Sequence, residues 1–365
     1  MKILILGGTG AMGKSIVEKL GARGDEVFVT SRSQHEDSGN IRYLTGNARN
    51  KEFLTKILGD NVFDAIVDFM KYSTAEFRDR IDLFLNHTNQ YMYLSSSRVY
   101  SDSQNRITER DSRLLDTLDD EKYLASDEYA IAKARQEDVL FASGKNNYTI
   151  VRPYITYNSN RLQLGIYEKD LWLRRVLNHK KVVFTRDIAE KYTTLTYAGD
   201  VANQMLGLIG NKKAYGEVYQ LGCNYELKWE QVLEIYKEAL HECGYELDIV
   251  WRDSSRVLDQ SVSLDQLRYD RLYNRRFDSS KVMETTGISE WTKPEEGLKK
   301  CIHEFIENNE KCQYILKQEA VMDGLTGDKP AFPQGISVKS KIKYYVGRYE
   351  RIFHLKKLAR KILRK

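Results

Sequence analysis

The chain has 365 residues, 41% of them hydrophobic and 30% charged, which fits a folded globular protein and excludes a disordered or fibrous one. Apolar runs such as Ile3–Leu6 are too short to cross a bilayer, and no basic-then-apolar leader precedes them, so a cytoplasmic protein is expected. Four cysteines without a C-x-x-C pair and six histidines without ligand spacing predict reduced thiols and no metal site. The net charge of +5 is uneven: Lys339–Lys365 holds eleven Lys and Arg against Glu350 alone, so this tail carries +10 and the preceding 338 residues −5.

Lys2–Leu6 reads as a strand, followed by a glycine-rich loop and a helical pattern through Ile16, Val17 and Leu20. Strands follow at Glu26–Thr30 and Ile41–Leu44, a helix around Phe53–Leu58, a strand at Ala65–Asp68, a helix over Ala75–Leu85 and a strand at Tyr91–Ser95. Glu128–Ala142 is helical, and Tyr148–Arg152 is a strand ended by Pro153. Strands alternating with helices predict an α/β protein with a Rossmann-type, doubly wound parallel sheet. Past Pro153, Tyr192–Tyr197 reads as a return strand, and Val201–Ile209, Trp229–His241 and Leu298–Asn308 as helices. The expected organisation is a dinucleotide-binding domain over 1–157, completed by about 190–222. A smaller α-rich substrate lobe over 158–189 and 223–322 follows, then a linker over 323–338 and a basic amphipathic tail over 339–365.

Gly7, Gly10 and Gly13 have G-x-x-G-x-x-G spacing between the first strand and first helix. A backbone without Cβ atoms admits a pyrophosphate, and a helix N-terminus offers N–H donors, so Gly7, Thr9, Gly10, Ala11, Met12 and Gly13 are the expected cofactor loop. A glycine turn without a ligand is the competing reading. NAD binders usually end their second strand on an acid that takes the ribose 2′-OH; this chain has Ser31 and Arg32 there, which suit a 2′-phosphate and favour NADP over NAD. Arg32 as an ordinary solvated charge is the alternative.

Tyr129 and Lys133, four apart on a helix, share a face, and of the 24 tyrosines only Tyr129 has a lysine at that distance. A neighbouring ammonium acidifies a phenol, which can then exchange a proton with a hydroxyl or carbonyl. Ser95-Ser96-Ser97 ends the strand before it, and one of these hydroxyls is placed to hold a substrate oxygen. In the tail, Ile342, Tyr345, Val346, Tyr349, Ile352, Phe353 and Leu355 recur at roughly helical spacing among the basic residues. This predicts a helix for an anionic membrane surface or a protein partner, or one packed on the body with its charges in water; nucleic acid is disfavoured.

The sequence resembles the extended short-chain dehydrogenase/reductases, specifically the nucleotide-sugar epimerase/dehydratase family. The resemblance rests on Gly7–Gly13, Gly46–Asn50, Val67-Asp68, Leu94–Tyr100, Tyr129-x-x-x-Lys133, Val151-Arg152-Pro153, Tyr197–Ala202, Arg276–Lys281 and Trp291–Leu298. It implies Tyr129 as acid/base, Lys133 as its tuner and a holder of the nicotinamide ribose, and Ser96, four before Tyr100, as the catalytic serine. It also implies that Asn47 meets the adenine and that Ala48 and Phe69 line the cofactor.

Three segments depart from the family pattern. Ser97 and Arg98 stand where dehydratases carry acids, which favours reduction or epimerisation over dehydration. Ile155 replaces a substrate-binding asparagine, and Met70-Lys71-Tyr72 replaces small residues. Lys71, Ser97, Arg98 and Tyr154 are the expected substrate contacts, with Lys71 and Arg98 suited to an anionic group. The implied partner is a nucleotide sugar and the implied assembly a homodimer. A dinucleotide-binding sensor or nucleic-acid or protein-binding module without catalysis is the alternative.

Overall fold

A computed structural model describes residues 1–59, 61–259 and 261–353. Six strands, β1 (Lys2–Leu6), β2 (Glu26–Ser31), β3 (Ile41–Thr45), β4 (Ala65–Asp68), β5 (Tyr91–Leu94) and β6 (Tyr148–Pro153), are joined by Glu217–Leu221 in a seven-stranded parallel sheet. Its order is β3-β2-β1-β4-β5-β6 and then Glu217–Leu221. The order reverses between β1 and β4, where sheets of this kind open a crevice at the strands' carboxyl ends.

The apolar run of β1 is buried from both sides. Ile3 and Ile5 enter one core with Val17 and Leu20 of helix α1 (Ala11–Arg23) and Met205 of helix Ala198–Leu208. Leu4 and Leu6 enter the other with Leu54 of α2 (Lys51–Leu58), Phe77 and Phe84 of α3 (Thr74–Asn86) and Leu140 further along. Two one-turn helices, α4 (Leu114–Thr117) and α5 (Glu121–Leu124), precede α6 (Tyr129–Phe141). Helix ends follow local chemistry: Asn50 caps α2, Ser73 and Glu76 form a capping box on α3, and Gly24 closes α1 in the left-handed region.

The chain divides into two compact units: 1–158, 194–226 and 275–294 form the first, and 159–193, 227–274 and 295–365 the second. Residues 275–294, expected in the substrate lobe, therefore pack with the sheet unit. The expected single strand Tyr192–Tyr197 is two: Tyr192–Thr193 pairs antiparallel with Leu227–Lys228, and Leu195–Tyr197 pairs parallel with Ile155–Tyr157. The strand that completes the sheet is Glu217–Leu221.

The second unit is less purely helical than expected, with short strands at Val182–Thr185 and Ile249–Arg252 paired in parallel. Nor does a linker begin at Asp323, because helix Leu316–Thr326 runs through it and Asp323 is fully buried. Helix Val338–Phe353 lies against that helix so closely that a Cβ on Gly324 would stand 2.6 Å from the Arg348 carbonyl oxygen. Beneath this crossing, Arg175 binds Glu319 at 2.8 Å, Asp323 at 2.7 Å and Asp328 at 2.8 Å. Lys180 binds Asp323 at 2.8 Å, and the buried Tyr344 hydroxyl donates to Asp323. The first part of the basic tail is thus a docked helix; Leu355 lies outside the described residues.

Candidate active site

The glycine loop leaves β1 at Gly7, whose φ of +73° lies in the left-handed region and whose Cβ would stand 2.9 Å from the Met70 sulfur. Its N–H donates to Thr30 Oγ1 at 3.0 Å. Gly13 lets α1 lie on the loop, since a Cβ there would come within 2.7 Å of the Gly8 backbone. Gly10 is different. Its φ of −75° and ψ of 173° suit any residue, and a Cβ would meet nothing within 4 Å. The fold itself makes no demand for glycine there, whereas a ligand lying against the backbone would. Helix α1 has no side-chain cap and no acid in its first turn, so its first N–H groups and positive dipole end suit an anion. These features fit a dinucleotide pyrophosphate. Ala11 and Met12 start the helix, and the Met12 side chain packs on the core.

A cleft of about 250 Å³ adjoins the loop, lined by Gly7, Thr9, Ser31, Arg32, Asn47, Ala48 and Phe69, and also by Arg49 and Lys71. Ser31 is buried, and its hydroxyl lies 3.0 Å from His35 Nε2 and accepts from the Ser33 N–H at 3.2 Å. His35 stacks on Tyr43 with ring centres 4.8 Å apart. Arg32 is exposed. Asn47 Oδ1, expected at an adenine amine, accepts from the Arg49 N–H at 3.0 Å. The Arg49 guanidinium is held by both Glu76 oxygens at 2.7 Å, which with the Ser73 N–H holds that carboxyl down at about 2. His35 escaped sequence reasoning because a lone histidine in an aperiodic polar loop carries no pattern.

The residues expected to be catalytic lie at the carboxyl end of β5 and the start of α6. Tyr129 is the first residue of α6, after its cap Glu128. Its ring lies 5.4 Å from Lys71 Nζ and 5.2 Å from the Arg98 guanidinium carbon. One turn on, Lys133 is 4% exposed; its Nζ donates to the Leu94 carbonyl at 2.6 Å and lies 4.5 Å from the Tyr93 ring centre. Burial pushes the Lys133 ammonium down to about 8, against the opposing pull of Asp68 and Glu137. Ser96, two residues past Leu94, accepts from the Arg98 N–H at 3.2 Å and caps the turn Ser97–Val99, which packs against α6.

The other two serines are structural. Ser95 donates to Glu137 Oε1 at 2.6 Å, and Ser97 donates to the Arg152 carbonyl at 2.8 Å. Ser97 is fully buried and also meets the Gln220 side chain, so it is no substrate contact. Arg98 is bound to Glu128 at 2.9 Å. Burial would raise Glu128, but Arg98, the Ala130 N–H and the Tyr123 hydroxyl hold it below the usual carboxylate range. Tyr154, 7% exposed, packs on Phe277 with ring centres 5.2 Å apart. Glu137 anchors the region from beneath, taking Arg152 at 2.8 and 2.7 Å.

The NAD dependent epimerase/dehydratase family profile matches residues 3–222. No curated protein sequence matches the chain. Among solved structures, the chain is similar to dTDP-glucose 4,6-dehydratase from Bacillus anthracis in complex with NAD. That likeness has a TM-score of 0.65 and 18% identity, and covers 85% of this chain and 98% of that one. UDP-glucuronic acid 4-epimerase from Bacillus cereus in complex with NAD gives a TM-score of 0.64 at 16% identity, covering 84% and 97%. The Bordetella bronchiseptica enzyme WbmH in complex with NAD+ gives 0.63 at 18%, covering 84% and 98%. The profile spans more than half of the sequence, and this chain belongs to the NAD dependent epimerase/dehydratase family.

Proposed function

We propose that this chain oxidises or reduces a carbon of a nucleotide-linked sugar, with Tyr129 as the acid/base and NADP as the preferred cofactor. The observation that carries this reading is the electropositive setting of one phenol: Lys71 and Arg98 flank the Tyr129 ring, and Lys133 follows one turn later. Cations so placed favour the tyrosinate and bring the phenol toward working pH. When bound, the nicotinamide supplies the two-electron acceptor and donor. Tyr129 takes the proton from the sugar hydroxyl on oxidation and returns it on reduction. Ser96 holds the same sugar oxygen by hydrogen bond, and Lys133 keeps the phenol acidic and steadies the cofactor ribose. Gly7 to Gly13 hold the pyrophosphate, and Asn47, Ala48 and Phe69 the adenosine side.

The balance favours reduction or epimerisation over dehydration. Expelling a sugar hydroxyl needs a protonated acid, and Glu128, adjacent to Tyr129, is held ionised by three donors. NADP is preferred because Ser31 and Arg32 offer donors and charge at the end of β2 without a carboxylate to repel a 2′-phosphate, and His35 bears on the same hydroxyl. Lys71, which makes no salt bridge among the described residues, is the cation available to an anionic substituent of the substrate; Arg98 shares its charge with Glu128. The tail adds a location. Residues 354–365 hold six Lys and Arg and no acid, interleaved with Leu355, Leu358, Ile362 and Leu363, a composition suited to an anionic membrane surface.

Tyr129→Phe tests the central claim. Turnover of activated sugars or their keto forms, followed by nicotinamide absorbance, should fall by about 10²–10⁴, while dissociation constants for NADPH and NADH stay at wild-type values. Retained turnover overturns the mechanism, and tighter binding of NADH than NADPH overturns the cofactor assignment.

A further inference from the structure

We propose that Asp68 is a positioning residue, the buried counter-charge that keeps Lys133 protonated beside Tyr129. This rests on reading Tyr129 and Lys133 as the reacting pair. Among the described residues Lys133 makes no ion pair: its hydrogen bond goes to the neutral Leu94 carbonyl, and its Nζ also lies close to the Tyr93 ring. A buried cation so placed loses its proton unless a negative charge stands near. Asp68 ends β4, in register with Tyr93 of β5, one residue before Leu94. It is 1% exposed.

The hydrogen bonds to Asp68 identify its ionisation. Oδ1 accepts from the Met70 N–H at 2.8 Å and from the Tyr72 hydroxyl at 3.5 Å, and Oδ2 accepts from the Tyr91 hydroxyl at 2.7 Å. All three partners are donors, which is the environment of a carboxylate; a carboxylic acid has a proton of its own to place. Burial and the Asp68 charge push both phenols well above the ordinary tyrosine range, so they remain donors. Burial also raises the Asp68 carboxyl, and these donors together with Lys133 pull against it.

The other charges facing Lys133 do not replace Asp68. Glu137, one turn on along α6, is divided among Arg152 at 2.7 Å, Arg113 at 3.4 Å and Ser95 at 2.6 Å. From α4, Asp116 is bound to Arg113. From the turn Ser97–Val99, Arg98 is bound to Glu128. From α3, Arg80 lies over the Tyr72 ring at 4.6 Å, and from the segment after β4, Lys71 adds a like charge that works against the ammonium. Of the carboxylates that act on Lys133, Asp68 is held by neutral donors alone, and its negative charge is the one left uncompensated.

The test compares pH–rate profiles of wild type, Asp68→Asn and Tyr91→Phe. Activity that needs protonated Lys133 should fall above about pH 8 in wild type. In Asp68→Asn that limb should move down by about one pH unit or more, a loss of about fivefold or more at pH 8, while the pH 6 rate and dinucleotide affinity stay within about threefold. Tyr91→Phe removes a donor but keeps the charge, so its limb should stay within about 0.3 of a pH unit of wild type. An unmoved limb in Asp68→Asn, an equal loss at every pH, or a limb in Tyr91→Phe that moves as far as that in Asp68→Asn overturns the proposal; if Asp68→Asn does not fold, Asp68→Ser is read by the same criteria. Failure of the underlying reading is separate, and shows as turnover retained by Tyr129→Phe.

Discussion

Gly10 separates what the fold needs from what a ligand needs. Alanine at position 10 keeps an allowed backbone, and its Cβ meets no atom within 4 Å. As an N-cap, alanine is poorer than glycine by roughly 0.5–1 kcal/mol, and the reduced freedom of the unfolded chain returns about 0.4–1 kcal/mol. The two nearly cancel, so Gly10→Ala should unfold within about 0.5 kcal/mol of wild type. Gly7→Ala should not, because the left-handed region disfavours a Cβ by roughly 1–2 kcal/mol. The Met70 sulfur, 2.9 Å from that Cβ, must also move. Thermal unfolding without cofactor compares the two, and fluorescence titration with NADPH then measures affinity. If Gly10 is glycine because a pyrophosphate lies on it, Gly10→Ala should lose at least about tenfold in affinity, or about 1.4 kcal/mol, at unchanged stability. Binding within twofold of wild type, or a melting point as low as that of Gly7→Ala, refutes the reasoning.

Three further outcomes follow. Glu137→Gln leaves the buried Arg152 guanidinium without its counter-charge, which should destabilise by about 3–5 kcal/mol in equilibrium denaturation; a loss under about 1 kcal/mol contradicts the anchoring role. Lys133→Met should abolish turnover yet raise stability at pH 7. The folded state holds this group at about 8 against a model value of 10.5, so the unfolded chain binds more protons between those values. The penalty is fully present below pH 8 and fades as pH rises to 10.5, so the gain, on the order of 1–3 kcal/mol, should shrink over that window. An unchanged or lowered melting point at pH 7 contradicts it. Deleting 354–365 should reduce co-sedimentation with phosphatidylserine vesicles while leaving Tm unchanged, and equal binding by both forms removes the lipid reading.

Much of the sheet unit was legible because its signals are local. The apolar runs at Ile3–Leu6 and Ala65–Asp68, the glycine spacing and the Tyr129–Lys133 interval each lie within a few residues. Glu217–Leu221 was missed, since an edge strand with an exposed first residue lacks a continuous apolar run. The three serines could not be separated from sequence, because Ser97 turns toward Arg152 and Gln220 only through contacts made 55 and 123 residues away. Arg98 likewise reads as an available charge until Glu128, 30 residues on, is brought beside it. The linker expectation fails at Asp323 because a glycine reads locally as a chain break, whereas Gly324 serves close helix packing. The family profile agrees with the resemblance drawn from the motifs over residues 3–222.

The ion cluster beneath helix Val338–Phe353 sets a schedule for synthesis. Arg175 and Lys180 leave the ribosome early, but their carboxylate partners lie at positions 319, 323 and 328, and the hydroxyl that completes Asp323 is Tyr344. Two cations must therefore wait for about 140 to 150 further residues before their charges can be neutralised in place. The sheet unit contains segments that end by residue 294, so it has its full complement first. A nonsense mutation or proteolytic clip shortly before Tyr344 would thus spare the nucleotide-fold half and leave the other half with an unfinished, charged interior.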